Sequence, residues 1–326
     1  MKHLARILAL AGLALSVWLF LRADPQAIVT LLIEAGPALA LAGLVHVVPM
    51  ALNARGWQVL LPGKARPSLV SMLHIVWVRE SVNGLLPVAR VGGEIVSFRL
   101  MRKLGVRRAP AAASLLVDMG LCVLCQVAVA LLGVGLLAGY ARSDLLWRLG
   151  IGAAVMALIG MLFILLQFAS PFERLMLAIN RLAAGKLDDL VGHSVRIDRA
   201  VRAMYRRRAV VVRSLIWQFC GCLAVAAEIW IALWLLGSPV GLAKALAIEA
   251  AIMAVGSAGF LIPGAIGIQE GTFLIVCGVL GLSPATALAL AAARRLRDCV
   301  VFFPGLWAWQ LSESQSNTPT AVPASK

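Results

Sequence analysis

Apolar residues fill runs close to the roughly 20 residues that a helix needs to cross a bilayer. Six of them, at 4–21, 37–54, 110–139, 146–169, 210–236 and 285–311, predict membrane helices. Their apolar positions do not alternate two by two, which argues against barrel strands, and lipid leaves helices as the other way to satisfy the backbone. Two more apolar regions, 69–104 and 244–282, are interrupted. The first carries "LLPVARVGGE" from Leu85 to Glu94 and the second "LIPGAIGIQE" from Leu261 to Glu270. Proline brings no N–H donor and glycine no Cβ, so each stretch predicts a broken helix.

The two stretches match at a constant offset of 176 residues, the distance from Leu85 to Leu261. Pro87 then coincides with Pro263, Ala89 with Ala265, Glu94 with Glu270, Leu104 with Leu280 and Gly105 with Gly281. A second proline, Pro110 or Pro284, opens a long apolar helix after each copy. Basic residues cluster at Lys2 and Arg6, Lys64 and Arg66, Arg99 to Arg108 and Arg174 to Arg213. The positive-inside rule assigns these to the cytoplasm, with both termini. Segment 22–36, the loops near Ser143 and Ser238, and "GLSP" at Gly281 to Pro284 become outer connections. The broken regions are then re-entrant hairpins of opposite orientation, a pattern that points to a transport site near the midplane.

The fold class predicted is an all-α polytopic membrane protein, with about six full transmembrane helices plus two re-entrant hairpins arranged as an inverted repeat. One integral membrane domain covers 1–312, with repeat cores at 69–139 and 244–311, a cytoplasmic basic loop at 170–209 and a disordered tail at 313–326. Within that loop Arg199, Arg202 and Arg206 share one helical face, which fits an interfacial amphipathic helix or a solvated hairpin. The start, "MKHLARILALAGLALSVWLFLRAD", has no small-x-small cleavage site before Asp24 and predicts an uncleaved first helix.

Composition agrees: 61% of the 326 residues are hydrophobic, against roughly 45–50% in soluble domains, and the mean hydropathy is +0.93. The formal charge is +15, from 30 Lys and Arg against 15 Asp and Glu. These basic residues bracket apolar spans, so they imply topology and attraction to anionic lipid headgroups, with no nucleic acid. The six cysteines mostly lie in apolar runs, and Cys122-x-x-Cys125 lacks the partners of a zinc site, so they read as packing residues. The four histidines are scattered. No phosphate loop, His-Glu-x-x-His or Gly-x-Ser-x-Gly occurs. No catalytic residue, metal ligand or cofactor is assigned.

Charges at bilayer depth cost about 2.5–3.5 kcal/mol each and need a partner, water or a function. They are Arg79, Glu80, Arg90, Glu94, Asp118, Glu228, Glu249, Glu270, Arg294, Arg295, Arg297 and Asp298. Asp118 and the pair Arg294 and Arg295 fall at similar depth after their prolines, which predicts an ion pair or a shared polar cavity. Arg79 and Arg99, near helix ends, read as snorkelling. Arg90, Glu94, Asp118, Glu270, Arg294 and Arg295 are the candidate substrate path. Salt bridges that hold the bundle together are the alternative. Pro87, Gly92, Gly93, Pro263, Gly264, Gly267 and Gly271 are the candidate hairpin breakers.

The stretches "RESVNGLLPVARVGGEIVSFRLMRKLG" (Arg79 to Gly105), "LVD" (Leu116 to Asp118) and "LIPGAIGIQEGTFLIVCGVLG" (Leu261 to Gly281) resemble the lysylphosphatidylglycerol synthase transmembrane-domain family, whose members are flippase-like. The first stretch is most similar to the hopanoid-biosynthesis-associated membrane subfamily. The resemblance spans residues 1–312. It implies a bacterial inner-membrane protein that translocates, or helps to translocate, a hopanoid or phospholipid between leaflets. It adds Asn83 to the path. The soluble aminoacyl-transferring domain of the bifunctional synthases is missing, so no enzyme activity is expected. A membrane-embedded transferase, or a non-catalytic partner in lipid or hopanoid biosynthesis, is the alternative. The partners implied are membrane lipids and lipid-biosynthesis enzymes.

Overall fold

The computed structural model describes residues 15, 17–63, 66–86, 92–140, 143–169, 188–256 and 267–314, and every regular element among them is helical. The Asp24 carboxylate accepts from the N–H groups of Gln26 and Ala27, at 3.1 Å each, and caps α1, Pro25–Gly43. Pro25 takes the first position, where its missing N–H leaves no bond unmade. Gly36 breaks the helix internally at φ 57 and ψ −154. The residue before a proline is barred from the helical region, and this conformation is open in practice only to glycine. A 3₁₀ turn, Leu44–His46, leads into α2, Val47–Leu60. The sequence reading placed 22–36 in an outer connection. The Asp24 cap instead starts the helix at Pro25, and Pro37 marks a kink.

The remaining helices are α3 (Leu69–Leu85), α4 (Gly92–Lys103), α5 (Arg108–Leu137), α6 (Ser143–Phe168), α7 (Asp188–Arg206), α8 (Arg208–Leu235), α9 (Leu242–Gly256), α10 (Ile268–Val279) and α11 (Pro284–Ser314). Among the described residues four helical stretches are long and apolar enough to cross a membrane: Pro25–Leu60, Arg108–Leu137, Gly150–Phe168 and Arg208–Leu235. They correspond to four of the predicted spans. The predicted span 285–311 is helical as α11, but Arg294, Arg295, Arg297 and Asp298 make it too polar to count with them. Of the predicted span 4–21, only Leu15 and residues 17–21 are described, and they are helical. Residues 170–187 of the basic loop and 315–326 of the tail lie outside the described residues.

Helices α2 and α8 pack together, and small residues let their backbones approach. Gly56 lies against Ser214 and Gln218, and Gly221 lies against Asn53. Helix α3 packs on α4, and α9 on α10. A reciprocal contact links the two broken regions: α3 lies against α11, and α9 lies against α5. The first arm of each broken region thus rests on the long helix that follows the other. Glycine makes both contacts close, with Gly305 against Ser81 and Gly133 against Ala250.

Two apolar cores result, with a polar layer between them. Along α11, Ala287 to Ala291 and Ala293 belong to one core and Val301 and Phe302 to the other. The charged run from Arg294 to Asp298 falls between. Helix α7 docks on α5 and α6, burying Val201 and Met204. Tyr205 Oη donates to Gln167 Oε1 at 3.0 Å, and Gln167 Nε2 donates to Leu116 O at 3.1 Å. Burial pushes the Tyr205 phenol up to about 12, so it remains a donor at physiological pH. The apolar face offered by the sequence to a lipid interface is therefore turned into the protein. Arg199 and Arg206 stay exposed.

Candidate functional site

Each broken region ends in a helix whose third residue is a glutamate, Glu94 in α4 and Glu270 in α10. A carboxylate there faces the positive end of the helix dipole. In α4, Gly93 N–H donates to Asn83 Oδ1 at 2.9 Å, and Asn83 Nδ2 reaches Glu94 Oε1 at 3.4 Å. A Cβ on Gly93 would stand 2.5 Å from Arg79 O and 2.7 Å from the Asn83 amide, so glycine is needed to bring α4 this close to α3. Arg79 Nη1 donates to Asp118 Oδ2 at 2.9 Å and lies 4.0 Å from Glu94 Oε2. Its guanidinium also covers the Trp57 ring at 5.1 Å. Gln218 Nε2 donates to the other Asp118 oxygen at 2.8 Å. Among the described residues, Glu94 Oε2 is buried and accepts no hydrogen bond.

Glu270 is fully engaged. Gly267, at φ 83, caps α10 and donates its N–H to Glu270 Oε2 at 2.7 Å. Arg295 Nε and Nη2 donate to Glu270 Oε1 at 3.1 and 3.0 Å. Next to it, Arg294 grips Glu249 with two bonds of 2.6 and 3.2 Å. Such forked pairing is the strong form of a charged hydrogen bond, and Glu249 is only 1% exposed.

A third cluster surrounds His46. Its Nδ1 lies 2.9 and 3.1 Å from the Glu228 oxygens, and its Nε2 lies 3.3 Å from Glu80 Oε2. Arg297 Nη1 donates to Glu228 Oε2 at 3.0 Å, and its Nε and Nη2 donate to Asp298 Oδ1 at 3.1 and 2.5 Å. A cavity of about 40 Å³, lined by Glu228, Arg294, Arg297, Gly43 and Phe273 among others, connects this cluster to the Arg294 pair.

The structure thus brings Asn83, Glu94 and Asp118 together, and Glu270 with Arg295. It does not pair Asp118 with Arg294. Each instead pairs with the first arm of its own broken region, Asp118 with Arg79 on α3 and Arg294 with Glu249 on α9. Arg79 does not snorkel: its side chain is 13% exposed and points to Asp118. Gly92 and Gly93 open α4, Gly267 caps α10 and Gly271 lies in its first turn. Arg90, Pro87, Pro263 and Gly264 fall outside the described residues. His46 escaped the sequence reading. Its signal was a lone ionisable residue inside the apolar run 37–54. Among the described residues no group of three or more His, Cys, Asp and Glu is placed to hold a metal ion.

Fold and site together define a polytopic helical membrane protein with its intramembrane charges gathered around interrupted helices. The family described as "Lysylphosphatidylglycerol synthase TM region" matches residues 7–305, and the chain belongs to that family. It is a multi-pass inner-membrane protein with a flippase-like, lipid-translocating role. Among curated proteins and among solved structures nothing matches the chain.

Proposed function

We propose that the two broken regions are re-entrant hairpins of opposite orientation, an inverted repeat inside a bundle of about six full transmembrane helices. A lipid headgroup, of a hopanoid or a phospholipid, passes between them along Asn83, Arg90, Glu94, Asp118, Glu270, Arg294 and Arg295, while the tails stay in the bilayer. Pro87, Gly92, Gly93, Pro263, Gly264, Gly267 and Gly271 let the chain turn back at depth. Both termini face the cytoplasm, and enzymes that make the lipid deliver it there. The reciprocal packing of α3 on α11 and α9 on α5 supports the repeat.

The observation that carries this reading is Glu94 Oε2, a buried carboxylate oxygen with no donor among the described residues and only a long 4.0 Å contact to Arg79. Such an oxygen is costly unless a partner arrives. A headgroup hydroxyl or ammonium supplies that donor during passage and gives it up on release. The test is reconstitution of the full chain into vesicles of phosphatidylethanolamine and phosphatidylglycerol, with dithionite quenching of a fluorescent phospholipid. Wild-type protein is expected to expose inner-leaflet lipid, and Glu94→Gln to slow that movement severalfold while its thermal unfolding stays close to wild type. Equal rates for the two proteins, or no movement by wild type, would sink the reading.

A further inference from the structure

The headgroup path leaves His46 unused, and its surroundings have chemistry of their own. Glu228 faces its Nδ1 and Glu80 its Nε2. A neutral imidazole has one N–H, and an ionised carboxylate only accepts. Both contacts become hydrogen bonds only when this trio holds one proton more than a neutral histidine and two carboxylates would. Every element packed here contributes a charge. Helix α3 brings Glu80, α8 brings Glu228, and α11 brings Arg297 and Asp298. Arg295 lies 3.9 Å from Asp298 but is bonded to Glu270, Arg294 is held by Glu249, and Arg79 turns to Asp118. Phe302 closes the ring's edge at 5.7 Å. Three carboxylates therefore share one dedicated arginine, and a further positive charge balances the cluster better.

The extra proton also has a mechanical effect. Holding it, His46 ties α3 through Glu80 to α8 through Glu228. Without it, the imidazole donates to one of them and lets the other go. The released element is either the first arm of a broken region or a helix against which α2 packs. The neighbouring cavity of about 40 Å³ lies against Glu228 and exceeds the roughly 10–15 Å³ that one water needs. Water there gives a proton access to the cluster.

We propose that His46, Glu80 and Glu228 form a proton-binding site that takes a proton from one side of the membrane, releases it to the other and so couples lipid movement to a proton gradient. This rests on the lipid-translocation reading, and two measurements separate their failures. The first needs no transport: nitrogen NMR of histidine-labelled full chain in nanodiscs, from about pH 5 to about pH 8, with the His46 signal assigned by its absence in His46→Gln. A doubly protonated His46 near neutral pH that becomes neutral in Glu228→Gln is expected. A neutral His46 throughout the range overturns the site.

The second measurement imposes a pH gradient across the reconstituted vesicles. Coupling of one proton to one lipid is expected to sustain at most about a tenfold lipid asymmetry per pH unit. His46→Gln, or Glu80→Gln should the first variant not fold, is expected to lose the asymmetry, whereas His74→Gln keeps it. Wild-type movement that ignores the gradient overturns coupling while leaving translocation intact. Gradient-driven asymmetry that survives in His46→Gln and Glu80→Gln overturns the assignment of the site. Absence of lipid movement under every condition overturns translocation, and coupling with it.

Discussion

Glu94 and Glu270 occupy equivalent positions in their helices, yet one carries an unpaired oxygen and the other is bonded at both. Their neighbour Glu249 is a different kind of charge, almost wholly buried and clamped by Arg294. Removing one partner from such a pair leaves an uncompensated buried charge. Glu249→Ala is therefore expected to lower stability by about 3–5 kcal/mol. Replacing both partners with apolar residues of similar size, Glu249→Leu with Arg294→Met, is expected to come close to neutral. Denaturant unfolding in detergent micelles measures both, and a double variant as unstable as the single one would contradict the pairing. The sequence exposed these residues because a charge inside an apolar run is conspicuous. It could not reveal their partners, which depend on which helices meet. A shared distance from a proline suggested Asp118 with Arg294, while the packing gave Asp118 to Arg79 and Arg294 to Glu249.

Helices α5, α6 and α8 start and end within a few residues of the predicted 110–139, 146–169 and 210–236, because each is one uninterrupted apolar run. Reading failed where two signals conflict. "GP" at Gly36 and Pro37 looks like a helix start but kinks a helix already capped by Asp24. The face of α7 that looked suited to lipid finds a protein partner in α5, which no local pattern announces. The reciprocal helix contacts depend on small residues, so they are sensitive to added volume. Gly305→Val would drive a side chain into Ser81, and Gly133→Val into Ala250. Each is expected to destabilise by about 1–3 kcal/mol through overpacking. Gly152→Ala, with nothing within 4 Å of the added atom, is expected to be neutral or slightly stabilising. Melting temperatures of the purified variants test the contrast, and equal losses at all three positions would show that these close contacts do not limit packing.

Opposite orientation of the hairpins makes a demand on the whole assembly: the exit of α4 and the exit of α10 must lie on different sides of the membrane. Single cysteines at Leu104→Cys and Leu282→Cys, in a chain with its six native cysteines replaced, are expected to react with an impermeant maleimide from opposite sides of oriented vesicles. Labelling of both from one side would remove the inverted repeat. The 176-residue offset made this arrangement readable from the chain, since Pro87, Glu94, Pro263 and Glu270 recur in step. The polar layer between the two cores was not readable, because it assembles from α2, α3, α8, α9 and α11 only once they pack.

The kinked rod formed by α1 and α2 has a further consequence. Its 36 residues rise about 54 Å at 1.5 Å each, well beyond the roughly 30 Å of a bilayer's hydrocarbon. A straight rod of that length would have to tilt steeply or protrude. The bend at Gly36 divides it, so the portion nearer Asp24 can change its angle to the membrane normal while α2 keeps its place against α8. The protein thereby gains a means of adapting to bilayers of different thickness without disturbing the charged layer at its centre.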